Sequence, residues 1–196
     1  MIDIEYLYLN DYDINDFTGI QSMPNLSYFY CDNNNLNEID ISQNINLISF
    51  SCNNNNLTEL DVTQNINLNY LECYNNNITE IEFSSIVNNL GTLNCENNAI
   101  SELDLSNCTN LGYLYCSQNN ISEIDVSQIL GLLSFGCWGN NLSAIDVSQN
   151  LNLSWFAAGM NNISSIDLTN NFSLNTLYLD ENNLSSLDVT QNTQLT

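Results

Sequence analysis

The chain has 196 residues, with 23 Asp and Glu residues and no Lys, Arg or His, so its formal net charge is −23. Phosphate backbones and anionic lipid headgroups repel such a chain, which argues against nucleic-acid binding and against direct membrane binding. No apolar run approaches the roughly 20 residues of a spanning helix, so we expect no membrane insertion.

One apolar phrase recurs along almost the whole chain. At residues 26–41 it reads L-x-x-F-x-C-x-x-N-x-L-x-x-I-D-I, and the step between copies is 21 or 22 residues. Copies begin at Ile4, Leu26, Leu47, Leu68, Leu90, Leu111, Leu132, Leu153 and Leu174, and Leu195 opens an incomplete tenth. One copy cannot bury its own apolar side, but stacked copies share a continuous core. We therefore predict one elongated domain over residues 1–196.

The first half of each copy predicts a short β-strand. Positions one, four and six are apolar, as in Leu47, Phe50 and Cys52, with polar or aromatic residues between them, so the local period is two. Position nine is Asn in eight copies, and an amide that both donates and accepts can satisfy backbone groups of the following turn. These residues are Asn34, Asn55, Asn76, Asn98, Asn119, Asn140, Asn161 and Asn182.

The second half of each copy predicts an extended segment behind the strand. Apolar and acidic residues alternate there, as in residues 57–63, and Asp, Ser, Thr and β-branched residues are poor helix formers. The first copy departs from this pattern over residues 12–26, where we expect a helical or 3₁₀ back. The last phrase stops within residues 191–196, so we expect the C-terminal cap to be absent.

The period and the frame L-x-x-L-x-[LC]-x-x-N-x-L resemble the leucine-rich repeat family over residues 4–195. The first copy resembles internalin units, and the phrase C-x-x-N-x-L-x-x-L-D-V-S resembles bacterial secreted and surface proteins of this family, especially those of Bacteroidetes. The resemblance implies a β-rich solenoid, a right-handed horseshoe or rod with one parallel sheet and nine repeats of 21–22 residues. It also implies an extracellular or cell-surface protein that acts in adhesion or partner binding.

Aromatic residues are concentrated at outward strand positions. Positions three and five alternate with the buried ones, so their side chains should project from the concave face of the sheet, and position seven follows directly. Exposed Tyr and Trp are common recognition anchors, although Tyr also suits exposed strands for structural reasons. The candidate ligand-binding residues are Tyr6, Tyr8, Tyr28, Tyr30, Tyr70, Tyr74, Tyr113, Tyr115, Trp138, Trp155 and Tyr178.

Two functions fit this pattern. The first is a module that binds a protein or a glycan through the aromatic concave face. The alternative is a structural subunit that stacks head to tail through the solenoid ends, forming an extracellular homopolymeric filament that could depend on cations.

An acidic column follows the second apolar segment. Its carboxylates either accept hydrogen bonds from turn amides, or they collect Ca²⁺, which prefers oxygen ligands. The column contains Asp40, Asp61, Glu82, Asp104, Asp125, Asp146, Asp167 and Asp188. Apart from Ca²⁺ under the second interpretation, we expect no cofactor.

Six of the seven cysteines occupy the inward position six: Cys31, Cys52, Cys73, Cys95, Cys116 and Cys137. Parallel side chains in register point the same way, which is a poor geometry for disulfides. Zinc would need convergent ligands, and the chain has neither His nor C-x-x-C pairs. We therefore expect these thiols to act as small buried apolar groups.

The composition also argues against catalysis. Without His, Lys or Arg the chain cannot form a Ser-His pair, a Cys-His pair or a phosphate clamp. Carboxylates stacked along a stripe do not face each other across a substrate cleft, as a glycosidase requires. We predict that the protein is not an enzyme.

Overall fold

The protein is a parallel β-solenoid in a computed structural model that describes residues 3–84 and 89–196. Within these residues, nine three-residue strands form one sheet: β1 (Tyr6–Tyr8), β2 (Tyr28–Tyr30), β3 (Ser49–Ser51), β5 (Tyr70–Glu72), β7 (Thr92–Asn94), β8 (Tyr113–Tyr115), β9 (Ser134–Gly136), β10 (Trp155–Ala157) and β11 (Thr176–Tyr178). The strands β4 (Glu59–Asp61) and β6 (Glu80–Glu82) form a second, two-stranded sheet. A 3₁₀ helix spans Ile20–Ser22.

Each strand of the main sheet lies beside the strand of the next repeat, in parallel and in register. Phe29, at the centre of β2, pairs with Leu7 of β1 and with Phe50 of β3. The same register continues to β11, where Leu177 pairs with Phe156. This arrangement confirms the leucine-rich repeat solenoid expected from the period and from the resemblance.

The core lies behind the sheet and is formed by the inward positions of the phrase. Leu26, Phe29 and Cys31 are completely buried. Phe29 stacks on Phe50 with a ring centroid distance of 5.5 Å, and further along the solenoid Phe135 stacks on Phe156, also at 5.5 Å. Burying apolar side chains against the neighbouring repeats stabilises each repeat.

The cysteine column is part of this core. All seven thiols are free and buried, which confirms the expectation that they fill space as small apolar groups. Burial raises the pKa of these thiols, for example at Cys73 and Cys116. The thiols therefore stay protonated at neutral pH, where a thiolate would be needed for reaction.

The asparagines at position nine bind the turn backbone, as predicted. In the third repeat, the Asn55 amide nitrogen donates to the carbonyl oxygens of Cys31 and Cys52, each at 3.1 Å. Its Oδ1 accepts the backbone N–H of Leu36 at 3.0 Å. One side chain thus links the turns of two successive repeats, and the same pattern recurs from Asn34 to Asn182.

The back of the solenoid is more irregular than expected. Among the described residues, only the segments of the third and fourth copies pair as strands, through Leu60 and Ile81. The other described back segments form no ladder of backbone hydrogen bonds with each other. Only β4 and β6 therefore form the paired strands of an extended back. The first copy has the 3₁₀ helix Ile20–Ser22, one of the two conformations expected there.

Candidate functional site: the aromatic face of the sheet

The outward side chains of the nine-stranded sheet form a surface that we call the aromatic face. The predicted ligand-binding residues supply nine of its Tyr and Trp side chains, while Tyr74 and Trp138 lie just after β5 and β9. Tyr6, Tyr8, Tyr113 and Tyr178 are exposed by 44 to 61%, and the other seven predicted residues are partly buried.

Stacked tyrosines begin this face. The rings of Tyr6 and Tyr28 lie 4.6 Å apart at an angle of 3°, and those of Tyr8 and Tyr30 lie 5.0 Å apart at 1°. The Tyr30 hydroxyl forms a hydrogen bond with Ser49 Oγ at 2.8 Å. The in-register strands explain these stacks, since equivalent side chains of neighbouring repeats face each other.

Two carboxylates lie beside these rings, in a group that we call the acidic patch: Tyr30, Asp32, Ser49, Ser51, Asn53, Tyr70 and Glu72. Asp32 Oδ1 accepts hydrogen bonds from Ser51 Oγ at 2.5 Å and from the backbone N–H of Asn53 at 2.7 Å. The Asn53 amide nitrogen donates to Glu72 Oε2 at 3.1 Å and to Ser51 Oγ at 2.9 Å. Asn53, which is only 2% exposed, therefore links both carboxylates.

The electrostatics of this patch reflect burial among like charges. Burial raises the pKa of Asp32. The nearby charge of Glu72 adds to this increase, while the hydrogen bonds from Ser51 and Asn53 oppose it. The pKa of Tyr70 is raised mainly by burial, and in addition by its hydrogen bond to Glu72. The chain offers these carboxylates no cation, because it has no Lys, Arg or His.

A second group on the same face lacks carboxylates, and we call it the neutral patch: Tyr115, Ser117, Ser134, Gly136, Trp138, Trp155 and Ala157. The Tyr115 hydroxyl donates to Ser134 Oγ at 3.0 Å, and the Tyr115 and Trp155 rings meet edge to face at 6.1 Å. A Cβ added at Gly136 would lie 3.2 Å from Tyr115 Cδ1 and 3.4 Å from Trp155 Cζ3. The glycine therefore lets the two rings close over the backbone.

Trp138 lies against a second glycine at the end of this patch. A Cβ added at Gly159 would lie 2.6 Å from Trp138 Cδ1 and 2.8 Å from Asp180 Oδ1. Those distances are too short for any side chain, so the indole occupies its present position only because residue 159 is Gly.

The acidic column on the back of the solenoid has a structural role at seven of its eight positions. In each of these, the Asp Oδ1 accepts the backbone N–H two residues ahead, for example from Ser127 to Asp125 and from Ser148 to Asp146, both at 2.8 Å. The Ser127 backbone and hydroxyl groups hold the pKa of Asp125 below its usual value. Glu82 lies instead in β6.

These contacts agree with the turn interpretation of the acidic column. Within residues 3–84 and 89–196, no group of three or more Cys, Asp or Glu side chains is placed to hold a metal ion. Ca²⁺ binding by the column stays a prediction.

The sequence reasoning missed a second asparagine column. The amide nitrogen of Asn65 donates to the carbonyl oxygens of Ile41 and Asn44, whereas its Oδ1 is buried without a hydrogen-bond partner. Cys108, which had no place in the cysteine column, lies at the equivalent position of its own repeat, and Ile129 follows in the next. The 21-residue spacing of the asparagines was a visible signal. The column's asparagines are Asn44, Asn65, Asn150, Asn171 and Asn192.

A row of exposed apolar side chains was also missed. In four repeats an exposed apolar residue directly follows this second column: Ile45, Leu130, Leu151 and Phe172, which are exposed by 52 to 60%. We call Leu130, Leu151 and Phe172, which belong to consecutive repeats, the apolar row. An exposed apolar row of this kind is a second candidate for contact with another molecule.

Comparison with solved structures places the chain among repeat proteins of one fold. The functional domain of InlJ from Listeria monocytogenes, described as including a cysteine ladder, is 33% identical, with a TM-score of 0.79 over 98% of this chain and 47% of that one. YopM from Yersinia enterocolitica is 27% identical, with a TM-score of 0.75 over 88% of this chain and 37% of that one.

A leucine-rich repeat protein from Leptospira interrogans has a TM-score of 0.82 at 24% identity, over 90% of this chain and 49% of that one. The chain thus spans about half the length of these structures, or less. No protein-family model and no curated protein matches it.

In this chain, six buried cysteines occupy the inward position six of successive repeats. The described residues contain no helix that is long and apolar enough to cross a membrane. The repeated phrase, the parallel solenoid and these likenesses together show that the chain is a leucine-rich repeat protein with internalin-like similarity.

Proposed function

We propose that the protein is a non-enzymatic interaction module that binds a partner protein through the aromatic face. The observation that carries the proposal is the concentration of Tyr and Trp side chains on one face of a rigid sheet. Tyr6, Tyr8, Tyr113 and Tyr178 are exposed there by 44 to 61%. Rigid aromatic side chains with polar tips lose little conformational entropy on binding and dominate many interfaces.

The charge of the chain narrows the class of partner. A net charge of −23 without any cation favours a basic surface and disfavours nucleic acids. A non-enzymatic role follows from the same composition, since the chain has no His, Lys or Arg to act as base, nucleophile activator or phosphate clamp.

A peptide display selection with matched variants tests the proposal. Peptides enriched on the immobilised protein at 150 mM salt would be measured against a face variant and a row variant. The face variant carries Tyr28→Ser, Tyr113→Ser and Trp155→Ser. The row variant carries Leu130→Ser, Leu151→Ser and Phe172→Ser.

We expect the enriched peptides to bind the wild type and the row variant equally, and the face variant at least about tenfold more weakly. Far-UV circular dichroism and urea unfolding of each variant confirm that the solenoid is intact. The proposal fails if nothing is enriched, if the face variant binds normally, or if only the row variant loses binding.

Three further parts of the hypothesis stay predictions. Binding of a glycan through the same face would keep the site and change the class of partner, and a glycan array with the same variants separates the two. An extracellular or cell-surface location is proposed from the resemblance of the phrase to secreted and surface proteins and from the likeness to InlJ. Head-to-tail filament formation through the solenoid ends stays a prediction as well.

A further inference from the structure

The two patches of the aromatic face are built on the same plan, 85 residues apart. Tyr30, Ser49 and Tyr70 recur as Tyr115, Ser134 and Trp155. The hydrogen bond between the tyrosine hydroxyl and the serine Oγ recurs with them, at 2.8 and 3.0 Å. The strand order β2-β3-β5-β7-β8-β9-β10 separates equivalent residues by four strands, or roughly 19 Å.

Between these shared residues, the two patches differ in charge. Asp32, Asn53 and Glu72 are hydrogen bonded as a group in the acidic patch. The equivalent residues of the neutral patch are Ser117, Trp138 and Ala157. The exchange replaces two carboxylates and their linking amide with a hydroxyl, an indole and a methyl group. The strands that carry both patches pair in the same parallel register.

The acidic patch is electrostatically incomplete. Asp32 and Glu72 are both partly buried, and the charge of Glu72 helps to raise the pKa of Asp32, after burial itself. Partly buried charges are normally compensated by a charge of the opposite sign, and this chain contains none. Tyr30 and Tyr70 flank the carboxylates, and aromatic faces favour organic cations.

The neutral patch suits an uncharged side chain instead. Tyr115 and Trp155 close over Gly136, and Trp155 is followed by Tyr178 with a ring centroid distance of 6.1 Å. A cation over the Tyr115 and Trp155 rings would find no carboxylate at the three equivalent positions, although Asp180 lies near Trp138 at the edge of the patch. A neutral apolar or aromatic side chain would gain contact area there.

We infer that the two patches are paired subsites for one basic protein partner: the acidic patch takes an arginine or lysine side chain, and the neutral patch takes a neutral aromatic side chain. The inference rests on the proposed function and adds the chemistry and spacing of the partner. A segment that engages both subsites presents the two side chains roughly 19 Å apart, about six residues in an extended chain.

Nuclear magnetic resonance titration of the full ¹⁵N-labelled chain tests the two subsites separately. The probes are N-acetyl-arginine N-methylamide and N-acetyl-tryptophan N-methylamide, each at 150 mM salt. We expect the arginine probe to shift amide signals of residues 49–54 and 70–74. The tryptophan probe should instead shift signals of residues 134–138 and 155–159.

Matched substitutions assign the effects. Glu72→Gln keeps an acceptor for Asn53 and should weaken the arginine probe about fivefold, with no change for the tryptophan probe. Ala157→Glu, the equivalent position, should create arginine binding at the neutral patch. The inference is overturned if Glu72→Gln has no effect, if both probes shift the same signals, or if the arginine probe follows the acidic column on the back.

A CaCl₂ titration separates a metal from an organic cation. If Ca²⁺ shifts the signals of residues 49–54 and the arginine probe does not, the inference is overturned. A peptide with Arg and Trp six residues apart should bind about tenfold more tightly than one with two residues between them. If peptides from the selection require the aromatic face but show neither dependence, the proposed function stands and the paired subsites do not.

Discussion

The acidic patch and the neutral patch are two versions of one surface. Their inward residues pack in the same core, and their strands pair in the same register. They differ at five of their seven paired outward positions, and the change in charge comes from Asp32 and Glu72, whose counterparts 85 residues later are Ser117 and Ala157. In a solenoid the inward residues determine the backbone, so the outward ones can change chemistry without changing the fold.

The two patches also differ in the contacts that stabilise them. In the acidic patch, polar groups are buried and each depends on its neighbours, with Asn53 at the centre of the network. In the neutral patch, the equivalent contacts are between rings and glycines. Hydrogen-bond networks are sensitive to the loss of one member, and ring contacts are sensitive to added volume. The predictions below test this contrast.

The largest effect is expected for Asn53→Ala in the acidic patch. The substitution removes the amide that donates to Glu72 and Ser51, and it leaves the backbone N–H of Tyr74 without its acceptor. A loss of about 2 kcal/mol in the free energy of unfolding follows from the unsatisfied groups. Urea unfolding measures this, since guanidinium is itself a ligand candidate for the patch.

Asn94→Ala is the matched control for this substitution. Asn94 also lies in the sheet, but within residues 3–84 and 89–196 its side chain accepts only the backbone N–H of Glu96. A smaller loss is expected there, and equal losses at the two positions would contradict the central role of Asn53.

The next effect concerns the neutral patch, where Gly159→Ala should displace Trp138. The new Cβ would approach the indole to 2.6 Å, so the ring must move away from its position beside Asp180. We expect a loss of about 1 to 2 kcal/mol and a shift in tryptophan fluorescence. At Gly131 an added Cβ meets nothing nearer than 3.9 Å, so Gly131→Ala should leave the fluorescence unchanged.

The pH dependence should separate Asp32 from the acidic column. Burial raises the pKa of Asp32 in the folded state, so its charge opposes folding once the pH exceeds that pKa. Asp32→Asn should therefore raise stability near pH 7 relative to the wild type, with the advantage disappearing below pH 4. The variant's Oδ1 remains an acceptor for Ser51 and Asn53.

Replacing Asp125 should change the stability in the opposite direction. Its pKa is lowered by Ser127, so its contribution to stability is present above the unfolded-state pKa and is lost as the pH falls through the folded-state pKa. Asp125→Asn should lower stability slightly at pH 7 and have no effect at pH 2. Urea unfolding midpoints from pH 2 to pH 8 compare the two variants, and parallel profiles would show that the two carboxyls have similar environments.

The fold was predictable because repetition makes each signal strong. The step of the phrase determined the register of all nine strands, and the asparagines from Asn34 to Asn182 indicated the turns. The second asparagine column was predictable in principle but was interrupted by Cys108 and Ile129. Because the back of the solenoid depends on irregular turns and not on a repeated ladder, its few paired strands were not predictable.

The site was predictable only as a set of outward residues. Alternation along the strands placed Tyr30 and Tyr115 on one face, and the structure agrees. The link through Asn53 joins side chains from three repeats, and the position of Trp138 depends on a glycine in the next repeat. Both depend on rotamers and on contacts between copies, which the pattern within one copy does not contain.

The smallest effect is expected in the turns that follow the strands, at residues with a left-handed backbone conformation. Asn33, beside Asp32, has a φ of 56°, and Met160, beyond Trp138, has a φ of 48°. Asn tolerates this left-handed conformation, whereas Met is strained in it by up to about 1 kcal/mol. Met160→Asn should therefore stabilise the chain by a few tenths to about 1 kcal/mol, and Asn33→Met should destabilise it by a similar amount. Both side chains are exposed, so packing changes little, and equal effects of the same sign in urea unfolding would show that backbone strain does not distinguish the two turns.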